Sequence, residues 1–241
     1  MLSTVRSMDI ILTAGLWLPS SIWASTGAEL QVRGHQPIPV ALPGADTGSA
    51  ASTLQDQLAA VLAAVDASDA SARPLVVGHS AASTLAWLVA DRRPTSIAGV
   101  VLVGGFPASH GSLYADFFPS VDGVMAFPGW GPFEGPDSDD LDTDARALID
   151  SIAVPVPDGV SRATVELTDD RRFRVPVTLV CPEYSPAQAQ AWIDAGDVPE
   201  LARAEHVAFV DIESGHWPMV TKPGELARIL DEIATRIAKA E

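Results

Sequence analysis

The chain has 241 residues, 47% of them hydrophobic, enough for one full-sized domain with a substantial core. Its 31 acidic residues outnumber 15 basic ones, and the net charge of −16 argues against a nucleic-acid partner or an anionic membrane surface. A single cysteine, Cys181, excludes an internal disulfide and suits a reducing, cytoplasmic setting, while the Arg- and Ala-rich composition is that of a high-GC bacterial genome.

Near the N-terminus, Arg6, the apolar stretch Ile10 to Leu18 and Trp23-Ala24-Ser25 imitate a signal peptide, but Asp9 and Pro19 break the pattern. Asp9 to Thr13 reads instead as a first core strand, with Ala14-Gly15-Leu16-Trp17-Leu18 as the loop leaving it. Ser20 to Val32 reads as a short helix with Trp23 and Leu30 turned inward, closed by Gly34. Ile38 to Leu42 follows as a strand whose prolines suit a sheet edge. After the turn-rich Pro43 to Ser49, residues Thr53 to Asp66 place Leu54, Leu58, Val61, Leu62 and Val65 at helical spacing.

Leu75-Val76-Val77 is a short apolar run behind Pro74, long enough for a buried strand and too short for a helix. Ala81 to Ala90 is a helix former with one apolar face. Between them, Gly78-His79-Ser80-Ala81-Ala82 is a small-x-Ser-x-small turn. Strand and helix backbones nearly collide at such a turn, so small residues must flank the serine, and the hydroxyl is thrown outward. The helix N-terminus also puts the Ala81 N–H where an oxyanion can sit. Ile97 to Val103 is another buried strand; strands that are continuous apolar runs, alternating with helices, predict a mostly parallel sheet covered on both faces.

From residue 105 to 172 the sheet character disappears. Tyr114, Phe117, Phe118, Phe127, Trp130 and Phe133 stand among prolines and glycines, and the acidic run Glu134 to Asp144 reads as a solvated face. This stretch is expected to be a lid over the carboxyl ends of the strands, with Asp142 to Ile152 as its clearest helix. The core then comprises residues 1–104 and 173–241. Val175 to Cys181 restores the sheet, Pro186 to Ala195 is a helix, Val207 to Ile212 the last strand, and Pro223 to Ala240 the closing amphipathic helix. Cys181, ending an apolar run, reads as a buried structural thiol. There is no Gly-rich phosphate loop, no zinc-ligand spacing, no calcium loop and no dinucleotide fingerprint, so no metal and no cofactor are expected.

The serine turn, together with Glu213-Ser214-Gly215-His216-Trp217-Pro218 between the last strand and last helix, resembles the α/β-hydrolase family over nearly the whole chain. That resemblance implies Ser80 as nucleophile and His216 as its general base, with backbone N–H groups of Leu16 and Ala81 as the oxyanion hole. Ala14 replaces the histidine usual before that loop's glycine. The family's acid is normally an aspartate at the position held here by Ser185, so Glu183, the only carboxylate in the turn, is the expected third member. Asp116, Asp122 and Glu134 in the insertion are alternatives, whereas Asp211 and Glu213 lie in the wrong direction along the histidine's own strand. Of the other histidines, His79 is expected to pack against the sheet, His35 and His206 lie at a loop and a strand start, and His110 alone is placed to join a substrate pocket. Trp17, Phe106, Trp130 and Phe133 are the expected pocket residues. The implied activity is cleavage of a small or medium apolar carboxylic ester, or a lactone, thioester or amide, through an acyl-enzyme; the chain is expected to act on a small molecule and to allow a homodimer. The alternatives are a cofactor-free lyase using the same serine and histidine as acid and base, and a ligand-binding protein with weak turnover.

Overall fold

A computed structural model describes residues 7–68 and 73–240; Arg6, the basic part of the signal-like stretch, lies outside them. The chain begins with β1 (Asp9–Thr13), buried at every residue but its first. A 3-10 turn over Ser20–Trp23 leads into α1 (Ala24–Val32), so the expected helix is split in two, with Trp23 and Leu30 fully buried. Next is β2 (Gln36–Pro39), two residues earlier than the proline pattern suggested, because Gln36 N–H already bonds the Met8 carbonyl. Helix α2 (Leu54–Ala67) starts on a reciprocal cap between Thr53 and Asp56. Then come β3 (Leu75–His79), α3 (Ala82–Arg92) and β4 (Gly99–Val103).

The excursion that follows is not wholly without strand. It contains β5 (Val124–Met125), α4 (Thr143–Ile152), β6 (Val156–Pro157) and α5 (Asp158–Ser161), with β5 and β6 paired antiparallel. Two-residue strands carry no alternation to read, which is why sequence pattern passes over them. The chain returns through β7 (Val177–Cys181), α6 (Pro186–Ala195), α7 (Pro199–Ala202), β8 (Val207–Asp211), α8 (Pro218–Thr221) and α9 (Pro223–Ala240).

Six strands form one parallel sheet in the order β2-β1-β3-β4-β7-β8. Successive residues of a strand face opposite sides, and the core divides accordingly. Ile11, Val76, Val100, Leu102 and Leu179 pack with Leu58 and Val61 of α2 and Leu85 of α3. Ile10, Leu12, Val77, Val101 and Val180 pack with Leu30 of α1 and Leu226 and Leu230 of α9 on the other face. Apolar runs without alternation are therefore what a two-sided sheet requires. Near the end of the excursion, the buried Arg172 guanidinium bonds Glu200 and Asp91, and Asp91 also accepts the N–H groups of Thr168 and Asp169. This pins the returning chain to α3 and α7. Among the described residues no helix is long and apolar enough to cross a membrane.

Candidate active site

The carboxyl ends of β3, β4, β7 and β8 deliver the residues that meet at the site. Ser80 follows β3 directly with φ of 54°, the left-handed region that is costly for a residue with a Cβ. Its N–H bonds the carbonyl of Val103 on the next strand, which fixes the turn against the sheet. Gly78 is obligatory on steric grounds: a Cβ there would overlap the carbonyl of Ala82 at the helix start. With Gly78 giving that room, Ala82 is accommodated, fully buried, where a second glycine is common.

His216 Nε2 lies 2.8 Å from Ser80 Oγ, and His216 Nδ1 lies 2.8 Å from Glu183 Oε1. A carboxylate only accepts, so Nδ1 carries the proton, Nε2 is the acceptor and the Ser80 hydroxyl donates. Glu183 and His216 are each about one-seventh exposed, at 14% and 15% of their side chains. Gly104, just past the end of β4, borders the glutamate and the ring. It takes φ of +61°, and a Cβ there would lie 3.4 Å from both Glu183 Oε2 and His216 Nδ1.

Ser185 is elsewhere. It is exposed and caps α6, accepting the Gln188 N–H while its own N–H and hydroxyl bond the Gln188 side chain. The insertion's carboxylates are also not at the histidine: Asp116 pairs with Arg162, and Asp122 and Glu134 are exposed. Asp211 and Glu213 are exposed as well. His110, expected as a possible pocket residue, is an exposed residue whose Nδ1 accepts the Leu167 N–H, so it belongs to the insertion's own scaffold. His35 bonds Asp231 and His206 is exposed, both away from Ser80.

Two backbone donors complete the arrangement. Neither the Leu16 nor the Ala81 N–H has an acceptor among the described residues. The Leu16 loop is held by the insertion: Val154 N–H donates to the Trp17 carbonyl and Trp17 Nε1 to the Met125 carbonyl. Trp17 takes φ of 64° in this loop. Behind it lies a cavity of about 20 Å³, lined mainly by apolar groups including Leu16, Leu42, Tyr114, Val156 and Val160.

The aromatic side chains form two groups. Trp17, Phe118, Phe127, Trp130 and Phe133 pack ring to ring among themselves, and Trp130 and Phe133 meet Trp217, whose ring is 5.0 Å from that of His216. Phe106 is not part of this group; it stacks on Tyr184 and meets Trp192, on the Glu183 side. Cys181 is buried in β7, and burial pushes its thiol up to about 12.

Two partners of His216 have no counterpart in the sequence reading. His79 does not merely pack on the sheet: its Nε2 donates to the His216 carbonyl at 2.7 Å. The acidic run is not only a solvated face either, since the Asp137 carbonyl accepts the His216 N–H at 2.7 Å and Ser138 is fully buried beside it. Desolvation, and then the neighbouring Glu183 charge, raise the Asp137 carboxyl above its ordinary value. No spacing rule flags either contact, because the first has one backbone partner and the second is backbone to backbone; the His-Ser adjacency is the visible hint.

A family model described as "Alpha/beta hydrolase family" matches residues 10–229. No curated protein matches the chain. Solved structures with the same fold include an extracellular alpha/beta-hydrolase from a Paenibacillus species, described as sharing structural and functional homology with tobacco salicylic acid binding protein 2. It is 17% identical, with a TM-score of 0.76, and the match covers 93% of this chain and 98% of that one. A pyrethroid hydrolase from Sphingobium faniae JZ-2 is 16% identical with a TM-score of 0.70, over 97% of this chain and all of that one. Tomato methylketone synthase I, complexed with 2-tridecanone, is 16% identical with a TM-score of 0.72, covering 96% and 99%. At these identities the likeness speaks for the fold.

Proposed function

The chain belongs to the alpha/beta hydrolase family, and from that premise we propose that it is a serine hydrolase cleaving a small or medium apolar carboxylic ester through an acyl-enzyme. The observation that carries this reading is the unbroken chain of contacts Ser80 Oγ to His216 Nε2 and His216 Nδ1 to Glu183 Oε1, both 2.8 Å, on a strained turn. His216 removes the Ser80 proton as Oγ attacks the ester carbonyl, and Glu183 holds the ring in the right tautomer and offsets its developing positive charge. The N–H groups of Leu16 and Ala81 receive the negative oxygen of the tetrahedral intermediate. His216 then gives its proton to the departing alkoxide. Water, deprotonated by the same nitrogen, releases the acid and restores Ser80. The reaction so written draws on side chains, backbone and water alone.

On this reading the insertion of residues 105–172 caps the site, and Trp130 and Phe133, backed by Trp17, extend an apolar wall from Trp217, the ring that meets His216. Two N–H groups without protein acceptors suit an oxyanion, which an acyl transfer generates and simple acid–base chemistry on the same pair does not require. A fluorophosphonate probe should modify Ser80 rapidly and stoichiometrically, and quenching with a p-nitrophenyl ester should trap an acyl group on the same residue. An unmodified Ser80 would refute the reading; modification without any acyl intermediate would point to lyase chemistry.

A further inference from the structure

His79 takes no part in the proton transfers above, yet it touches three components of the site. It precedes Ser80 in sequence. A Cβ on Gly15, in the loop that carries the Leu16 N–H, would lie 2.9 Å from its Nδ1. Its ring centroid is 5.0 Å from that of His216, and its Nε2 reaches the His216 carbonyl at 2.7 Å.

We propose that His79 is a positioning residue for the base, tethering the backbone of His216 so that its imidazole stands at the right height over Ser80. The inference rests on the serine-hydrolase reading of the site. The carbonyl accepts only, so the proton of the His79 ring is on Nε2 and Nδ1 is bare. That Nδ1 is buried without a hydrogen-bond partner, and a second proton there would be unsatisfied. Burial first, and the neighbouring His216 second, hold His79 down to about 3, so it stays uncharged at neutral pH. An uncharged ring is what the site needs. When His216 takes the Ser80 proton it becomes positive, and a second cation 5.0 Å away would oppose that step.

The tether has a partner on the other side of the same residue. The His216 N–H is held by the Asp137 carbonyl and its C=O by His79, each at 2.7 Å, while the ring must satisfy Ser80 and Glu183 together at 2.8 Å. The histidine sits on a turn outside regular structure, so these two backbone bonds fix its place. A shift of about 1 Å at such a point costs on the order of 10²-fold in rate.

The test compares His79→Leu, which keeps apolar bulk without a donor, with His79→Gln, whose amide nitrogen reaches about as far as Nε2. Turnover of p-nitrophenyl acetate and the rate of fluorophosphonate labelling at Ser80 are measured for both. His79→Leu should lower kcat and labelling rate by about 10- to 100-fold with KM within about twofold, and His79→Gln should stay within about threefold of wild type. Wild-type rates in His79→Leu, or an equal fall in both variants, would overturn the tether. If His79→Leu does not fold, His79→Gln is compared with His79→Asn, whose amide is one methylene short. A tenfold advantage for glutamine supports the proposal and equal rates overturn it. An unlabelled wild type would remove the serine-hydrolase reading and this inference with it; a labelled wild type with indifferent variants removes this inference alone.

Discussion

Glu183→Gln isolates the charge of the site's acid while nearly preserving its shape. The carboxylate accepts from His216 Nδ1 at 2.8 Å, and both side chains are largely shielded, at 14% and 15% exposed. When His216 becomes protonated, the two charge centres stand about 4 Å apart, which at an effective dielectric of about 20 is worth roughly 4 kcal/mol. That corresponds to about 10³-fold in rate. The amide adds a second fault: its NH₂ can donate to Nδ1, which stabilises the tautomer with a proton on Nε2 and leaves nothing to accept from Ser80. We expect kcat to fall by roughly 10²- to 10⁴-fold with KM nearly unchanged. Hydrolysis of p-nitrophenyl acetate, with circular dichroism to verify the fold, measures this. Ser185→Asp, which restores the family's usual acid position, should not rescue the variant, because residue 185 is committed to the cap of α6. Wild-type turnover in Glu183→Gln, or full rescue by Ser185→Asp, would refute the reasoning.

Ser80→Ala and His216→Ala should each cut ester hydrolysis by at least about 10³-fold, and the double variant little further, since the two act as a unit; additive losses in steady-state kinetics would contradict this. Gly78→Ala should destabilise the protein by about 1–3 kcal/mol or more in urea titration, because its Cβ would overlap the Ala82 carbonyl. His79 makes stability pH-dependent with a definite sign. Its value falls from 6.5 to about 3 on folding, so between these pH values the unfolded chain binds more protons and stability is lost as pH drops. The loss is about 1.4 kcal/mol per pH unit, starting near pH 6.5. Urea titrations at pH 7 and pH 5 should show wild type losing more than His79→Gln, and parallel losses would count against a neutral buried His79.

Much of the fold is readable in order along the chain, since the central strands β3, β4 and β7 hold short apolar runs and α2 and α9 carry apolar residues at helical spacing, whereas the edge strand β2 is shifted and α3 is buried on nearly all sides. Ser80 is legible because local sterics demand Gly78 before the serine, and His216 through the resemblance of its place between the last strand and last helix to that of the family's histidine. The glutamate is recognisable only by exclusion within its turn, because its contact with the ring is made in space, between the segments that follow β7 and β8. Apart from α4, which falls where a helix is expected over Asp142 to Ile152, residues 105–172 resist reading. Their order comes from two-residue strands, aromatic rings in mutual contact and the buried Arg172 ion pairs, none of which repeats along the chain. Contacts made through carbonyls, such as those of Asp137 and His216, leave no residue signature at all.

The bonds from the insertion to both halves of the site bear on how such a protein can change. Val154 and Met125 grip the loop carrying Leu16, while Asp137 grips the turn carrying His216. On the proposed reading, the segment placed to meet substrate is therefore also scaffolding for the oxyanion donors and the base, and it is not an interchangeable part. Exchanging it wholesale for a relative's segment to alter substrate range would release both at once, and the resulting chimaera would fold yet react slowly with every ester. Productive variation is confined to side chains such as Trp130 and Phe133, with the backbone carbonyl of residue 137 and the N–H of residue 154 left in place.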